Sequence, residues 1–403
     1  MTAAPVPGKP LSRGAARTRQ IIVAAAKLFE DVGYQNVSID DIGTAVGLTG
    51  PAVYRHFSGK HDILVKALES QVAAVALVVG QAAEGDPAER PLVMQLIDQL
   101  TVLTVERDEA FIWRRERRHL DSEHAESFRT TFGSLLSRIA SLIGQFRPEL
   151  DDGQARLLGL ALLSLYGNVH DIRSHQTDAR FAGLVTGAAK RIVLVDLGND
   201  APATELSPPP GRRRPAGRRE LVIEAAADLF DKRGFYDVRI DDIARAAEMS
   251  VATLYQHFDS KSRILQAVLE RGAEGLLYIT TEALTVTQNA EDTLRTLIRT
   301  YVSQALGLHG RTMRILASDL HYLPTEVQDA LREVQREYVA EWTAVIGELH
   351  PGLATADARA LAHAAINIIT DLSQTYSLRG RSSLTRDLEG LAFSVVSASA
   401  QQV

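Results

Sequence analysis

The chain has no cysteine in 403 residues. That removes disulfides, thiol nucleophiles and thiolate metal sites, and it suits a reducing cytoplasm. No uninterrupted apolar run of about 18 residues occurs, so no membrane span is expected. The opening stretch, MTAAPVPGKPLSRG, carries no apolar segment of the signal-peptide kind. Strand-like alternation is scarce. The metal-protease helix motif, the phosphate-binding P-loop, the dinucleotide fingerprint and the nucleophile elbow are all missing, so neither an enzyme nor a cofactor is expected. Positive charge is short as well. The net charge is −6, so a nucleic-acid partner has to be argued from local charge.

What is present is repetition. VYRHFSGK, Val53 to Lys60, returns as LYQHFDSK, Leu254 to Lys261. Shifting the sequence by 201 positions aligns Arg17–Glu69 with Arg218–Glu270 without a gap, and roughly 22 of about 53 pairs are identical. Ile39-Asp40-Asp41-Ile42 pairs with Ile240-Asp241-Asp242-Ile243, and Gly33 with Gly234. At 403 residues the chain exceeds what one core usually supports. A duplication therefore sets the domain plan: 13–60 and 218–261 as matching heads, 61–197 and 262–403 as bodies, and 198–217 as a linker. That linker is rich in proline and arginine and reads as extended.

Each head is punctuated as three short helices. Gly33 ends the first. Ser38 with Asp41 forms a capping box for the second. Gly47 breaks the second, and Thr49 caps a third that begins at Gly50 and Pro51. A helix, a glycine turn and a short helix make a helix-turn-helix. Small residues at the start of the third helix let its end approach bases and phosphates, and Tyr54, Arg55, His56 and Lys60 place donors around it. The second head departs from this pattern at Arg239, which replaces Ser38, and at Glu248, which replaces Gly47. Its arm, GRRRPAGRR, adds five arginines suited to phosphates or a minor groove, and suited equally to a solvated linker. Arg13–Lys60 carries roughly +2 and Arg212–Lys261, the arm included, roughly +1, which leaves the remainder near −9, so acidic bodies would be held off DNA while the heads engage it.

AAAKLFEDVGYQNVSIDDIGTAVGLTGPAVYRHFSGKHDIL and AAADLFDKRGFYDVRIDDIARAAEMSVATLYQHFDSKSRIL each resemble the DNA-binding head of the TetR family of transcriptional regulators. The resemblance implies an all-α fold: two units, each a three-helix head on a helical body for ligand binding and dimerisation. It implies base approach by positions 50, 51 and 54, with Thr49, Arg55, His56 and Lys60 on phosphates and Ser38 counted with them as a DNA-binding residue. In the second half it implies base approach by Val251, Ala252 and Tyr255, with Ser250, Gln256, His257 and Lys261 on the backbone. Phe57 and Phe258 would be core. The partners implied are double-stranded operator DNA and a small-molecule effector.

The bodies show helical periodicity over Pro91–Arg107, Glu109–Arg118, Glu123–Phe146, Asp152–His175 and Asp178–Val195. The second half repeats it over Glu291–Gly307, Arg311–Asp319, Pro324–Leu349, Ala356–Tyr376 and Leu384–Ser399. One chain can supply both heads, so an intramolecular pseudo-dimer is expected in place of a homodimer, reading two non-identical half-sites. Its interface would use Leu158, Ala161, Leu162, Leu165, Leu184, Ala188 and Ile192 against Leu361, Ala365, Ile369, Leu388 and Val395. The same stripes would serve equally as body core. Pocket candidates are Trp113, Phe128, Phe132, Tyr166 and Asn168, then Met313, His321, Tyr322, Trp342, Asn367 and Tyr376. Arg114–Arg118, RRERR, suits an acyl-CoA effector or a solvated face. His119 with His124, and His170 with His175, are five apart and share no helix face, so no metal site is expected. Repression by a ligand-released head is the first functional reading; a scaffold whose second head no longer binds DNA is the alternative.

Overall fold

A computed structural model of the protein describes residues 13–106, 111–173, 178–197, 217–307, 309–378 and 380–397. Residues 198–216 of the expected linker, the GRRRPA part of the arm and His175 lie outside the described residues. Among the described residues there is no strand, as an all-α fold requires. The first half runs α1 (Arg13–Val32), α2 (Ile39–Ala45), α3 (Gly50–Val53), α4 (Lys60–Ala83), α5 (Leu92–Thr101), α6 (Trp113–Glu116), α7 (Ser122–Phe146), α8 (Asp152–Gly167), α9 (Val169–Ile172) and α10 (Asp178–Leu194). The second runs α11 (Arg218–Asp237), α12 (Ile240–Ala246), α13 (Val251–Tyr255), α14 (Lys261–Leu284), α15 (Ala290–Leu306), α16 (His309–Asp319), α17 (Thr325–Leu349), α18 (Thr355–Gln374) and α19 (Leu384–Val396).

Packing gathers the chain into two compact units: Met1–Glu84 with Arg107–Arg138, and Gly85–Glu106 with Ile139–Val403. No break falls at 60/61, because α4 is one continuous helix that starts in the head and runs on past it. By length and composition α4 is apolar enough to cross a membrane. Its Ile63, Leu64, Ala67, Leu68, Val72, Val75 and Val79 are buried, as in a core helix of a globular protein.

In the first unit, α1 packs on α4 and α2 around Ile21, Ala25, Phe29, Val53 and Phe57. In the second unit the second head shares one core with its body. Val222, Phe230 and Leu254 belong to the same buried cluster as Ile315, Leu323 and Leu331. There α8 packs against α18, and α10 against α19. The twelve stripe residues from Leu158 to Val395 singled out in the sequence are all buried. Polar bonds cross the same helices. Asp371 accepts from the Ser164 hydroxyl at 2.6 Å and from Asn168 Nδ2 at 3.1 Å. Arg180 pairs with Asp357, its Nε 2.9 Å from Oδ2. Arg191 donates to the Val395 carbonyl at 3.0 Å, and the Ser394 hydroxyl donates to the Arg191 carbonyl at 3.0 Å.

Two body helices differ from the periodicity. The helix expected over Asp152–His175 breaks at Asn168, where φ is −112° and ψ 9°. The side chain there bonds to the Ser164 carbonyl one turn back and to Asp371, which holds a local departure that apolar spacing does not encode. Of the segment expected as a helix over Glu109–Arg118, residues 109–110 lie outside the described residues, and the rest holds the single turn of α6 followed by a 3-10 turn over Arg117–His119.

Candidate nucleic-acid interface

The two heads are built alike. Gly33, at φ 83°, ends α1 and donates its N–H to the Phe29 carbonyl at 3.0 Å. Ser38 and Asp41 form the full capping box on α2: the Asp41 N–H reaches Ser38 Oγ at 3.1 Å, and the Ser38 N–H reaches Asp41 Oδ2 at 2.8 Å. The Ser38 hydroxyl also donates to that carboxylate, so this side chain is spent on the cap. Gly47, at φ 68°, turns the chain into α3. Thr49 occupies the N-cap with extended backbone, but its side chain makes no capping bond. The expected hydroxyl cap is therefore replaced by the Thr49 carbonyl, which accepts from the Ala52 and Val53 N–H groups.

Along α3 the faces separate cleanly. Val53 and Phe57 are buried. Pro51, Tyr54 and Arg55 are exposed, with Tyr54 58% accessible. A tyrosine packed beneath the helix would be hidden, and Tyr54 is not. His56 is half-buried, its Nδ1 3.1 Å from the Thr18 hydroxyl of α1. Gly50 differs from expectation: it is buried, and a Cβ there would lie 2.1 Å from Asp40 Oδ1. Its lack of a side chain makes room for that carboxylate and offers no side-chain surface to a base.

The second head keeps the exposed set. Ala252, Tyr255, Gln256 and His257 are exposed, Tyr255 by 50%, and Val251 is half-buried. Here the cap is real: Ser250 Oγ accepts from the Thr253 N–H at 3.1 Å. Arginine has no acceptor, so α12 retains only half its capping box, the Arg239 N–H to Asp242 Oδ2 at 3.2 Å. Glu248 takes φ 56°, the left-handed turn that Gly47 makes in the first head.

Lys60 and Lys261 sit where the third helix gives way to the fourth, and both ammonium groups turn inward. Lys60 Nζ donates to the Tyr34 and Gln35 carbonyls at 2.8 and 3.2 Å. Lys261 Nζ donates to the Phe235 and Val238 carbonyls, each at 2.7 Å. Each lies over the ring at the matching position, Tyr34 at 4.5 Å and Phe235 at 4.2 Å. Burial lowers the pKa of both, opposed by Glu116 for Lys60 and by Asp237 and Asp319 for Lys261.

A buried acid completes this corner in each half. Glu116, 1% exposed, accepts the Tyr34 N–H at 3.4 Å. Asp319, fully buried, accepts the Phe235 N–H at 3.1 Å. Burial raises the Glu116 pKa although Arg115 and Arg118 pull it down. Arg115 donates to Glu116 and to the last carbonyls of α1, Phe29 at 3.1 Å and Glu30. The RRERR run is thus a bracket that fastens the end of α1. Sequence reading missed the bracket because the head repeat is 201 positions long, while Glu116 and Asp319 lie 203 apart.

The family model described as "Bacterial regulatory proteins, tetR family" matches residues 21–67 and again 222–268, the two heads just described. The chain belongs to the TetR family. It is a tandem member, with one TetR head in each half. It is 33% identical over 103 residues to the HTH-type transcriptional activator FasR of Mycolicibacterium smegmatis, covering 23% of this chain and 47% of that protein. It is 27% identical over 143 residues to the HTH-type transcriptional repressor KstR2 of Rhodococcus jostii, covering 35% of this chain and 70% of that protein. The match thus spans about half the length of FasR. A crystal structure of a TetR-family transcriptional regulator from Bordetella parapertussis aligns with 47% of this chain and 98% of its own at TM-score 0.42 and 23% identity.

Pocket candidates in the TetR bodies fare unevenly. In the first unit Trp113 is buried beside Phe132, ring centroids 5.8 Å apart, and Phe132 stacks with Phe128 at 5.7 Å. Tyr166 and Asn168 belong to the second unit and are satisfied by protein. The Tyr166 hydroxyl donates to the Ile97 carbonyl at 2.9 Å and meets Thr101, so it is core and not an open ligand contact. Asn168 has its partner in Asp371. Tyr376 is 84% exposed. Met313 is half-buried on α16. Tyr322 stacks on Phe235 at 5.1 Å with His321 against it, which makes both part of the second head's seat. Trp342 is fully buried beside Tyr301 and Tyr338. The Tyr338 hydroxyl meets the Trp342 and Thr280 side chains, and Asn367 Nδ2 is buried with no hydrogen-bond partner in the protein.

Proposed function

We propose that this chain is a DNA-binding transcriptional repressor in which one polypeptide carries both operator-reading heads, and that a small, largely apolar effector releases it. The observation that carries the reading is the matched pair of exposed tyrosines, Tyr54 and Tyr255, on helices whose apolar faces are buried. Pro51, Tyr54, Ala252 and Tyr255 would face bases, with Val251 beside them and Gly50 contributing backbone alone. Thr49, Arg55, His56, Ser250, Gln256 and His257 would lie along phosphates. Lys60 and Lys261 would reach a phosphate only by sharing or giving up their carbonyls. Arginine at 55 opposite glutamine at 256, and glycine at 50 opposite valine at 251, give the heads different surfaces. The operator would therefore have two unequal half-sites.

The effector site is proposed in the second body, among α14, α17 and α18. The Tyr338 hydroxyl meets the Trp342 and Thr280 side chains there, which leaves Asn367 Nδ2 as the buried donor without a protein partner; an unmet group of this kind costs on the order of 1–3 kcal/mol, and a ligand bearing a carbonyl on an apolar frame would satisfy it. Within Arg114–Arg118, Arg115 is spent on α1 and Glu116 and is not available to an acyl-CoA effector. A footprint of the intact chain on its own upstream DNA tests the proposal. Protection of two half-sites about 34–36 Å apart, with affinity falling roughly 10³–10⁵-fold between 50 and 200 mM salt, is expected. Salt-insensitive binding, or none, would refute it.

A further inference from the structure

The first turns of α4 and α7 bring together three side chains that the helix-turn-helix does not use. Asp121 precedes α7 and caps it: its Oδ1 accepts the His124 N–H at 2.9 Å. The His124 imidazole Nδ1 lies 2.8 Å from both carboxylate oxygens. His61, the second residue of α4, completes the group from the other side, with Nε2 3.9 Å from Asp121 Oδ2 and its ring centroid 5.4 Å from that of His124. Capping and pairing account for Asp121 and His124. They do not account for His61, whose Nε2 atom is buried with no hydrogen-bond partner. One ligand atom from each residue falls within a 4.8 Å spread.

We propose that His61, Asp121 and His124 bind a divalent transition-metal ion of the zinc class, with solvent in the remaining position. Two imidazoles and one carboxylate suit Zn²⁺, Ni²⁺ or Co²⁺, and do not suit the all-oxygen shells that Ca²⁺ and Mg²⁺ prefer. Metal bonds of about 2.0–2.2 Å require the three ligand atoms to draw closer together. The side chains are 37% (His61), 53% (Asp121) and 40% (His124) exposed, so each has room to adjust. The five-residue spacing of His119 and His124 points away from a metal, and His119 is indeed elsewhere, stacked on Tyr34 at 5.0 Å and 3.5 Å from Glu116. The partner of His124 comes instead from far upstream. A bound ion would tie α4 to α7 beside Lys60, at the corner where the first head is held.

The test uses the metal-free full-length chain, titrated separately with ZnCl₂ and CoCl₂ and followed by calorimetry, cobalt absorption and thermal melting. One equivalent is expected to bind, with visible cobalt bands of a nitrogen- and oxygen-ligated site and a raised Tm. His61→Ala and His124→Gln should each weaken binding by at least about tenfold. Asp121→Asn, which can still cap α7, should weaken it too. Because the readouts are binding and spectra, the result is independent of whether the chain represses a promoter. No stoichiometric uptake of either ion would overturn the proposal. So would uptake that His61→Ala and His124→Gln leave unchanged, since other histidines would then hold the metal.

Discussion

Glu248 is the one non-glycine residue with positive φ among the described residues. An L-residue with a side chain is held there against its steric preference, and the first head shows the relaxed solution in Gly47. Glu248→Gly should therefore stabilise the chain by about 1 kcal/mol, read as a rise in the denaturation midpoint with unchanged slope. Arg239→Ser should add about 1 kcal/mol by restoring the missing half of the α12 cap. A fall in stability in either variant would show that these positions are used in another way. Glu116 poses the opposite case. Its raised pKa means that folding disfavours its charged form, so the cost is present above its folded pKa and is relieved as pH falls toward the ordinary value of 4.5. Glu116→Gln mimics the neutral acid. Its Tm should exceed that of the wild type at neutral pH, and the difference should close as acid protonates Glu116. A pH-independent difference would place the effect in the Arg115 contact. The strained turn was legible because glycine at 47 marks it. Glu116 was not, since a glutamate inside RRERR looks like any solvated charge.

At the scale of elements, the head helices were the most legible part of the chain, because caps, glycines and apolar spacing agree with one another there. The failures have local causes. Thr49 is a good capping residue by type, but its carbonyl does the work. Lys60 reads as a free cation at a helix start, yet the carbonyls of Tyr34 and Gln35 hold it. Pocket residues were hardest to read. Whether Tyr166 lines a cavity or completes a core depends on Thr101 and Ile97, which lie more than sixty positions away. These contacts separate two substitutions. Tyr54→Phe removes an exposed hydroxyl, so it should leave the Tm unchanged and shift sequence preference among operator variants in a binding selection. Lys60→Ala should lower the Tm and weaken binding to all sequences alike, measured well below the melting transition. If Lys60→Ala changed sequence preference while Tyr54→Phe did nothing, the roles proposed along α3 and the start of α4 would be reversed.

At the scale of the whole molecule, the question is whether the two halves complete each other or wait for a second chain. Placing Gln154-Ala155-Arg156 over Asp357-Ala358-Arg359 sets α8 on α18 at a shift of 203 positions, and that shift carries Asn168 onto Asp371. These corresponding residues are hydrogen-bonded to each other. Contact between equivalent positions is what a two-fold arrangement produces near its axis. The pair is also unequal in a useful way. If two second bodies met through α18, Asp371 would face a second Asp371, and buried like charges repel. Asparagine against aspartate has no such cost, so the contact favours a first half joined to a second. One chain can satisfy it, and the apolar faces of α8, α10, α18 and α19 are already buried without another copy. Mass measurement in solution should accordingly find a single particle near 43.9 kDa, free and on DNA. Asp371→Ala should cost about 1–3 kcal/mol by stripping Ser164 of its partner. Under this arrangement both variant and wild type stay monomeric. A stable particle of twice the mass, or a footprint with four equivalent half-sites, would mean that the heads are paired between chains and that Asn168 and Asp371 meet for another reason.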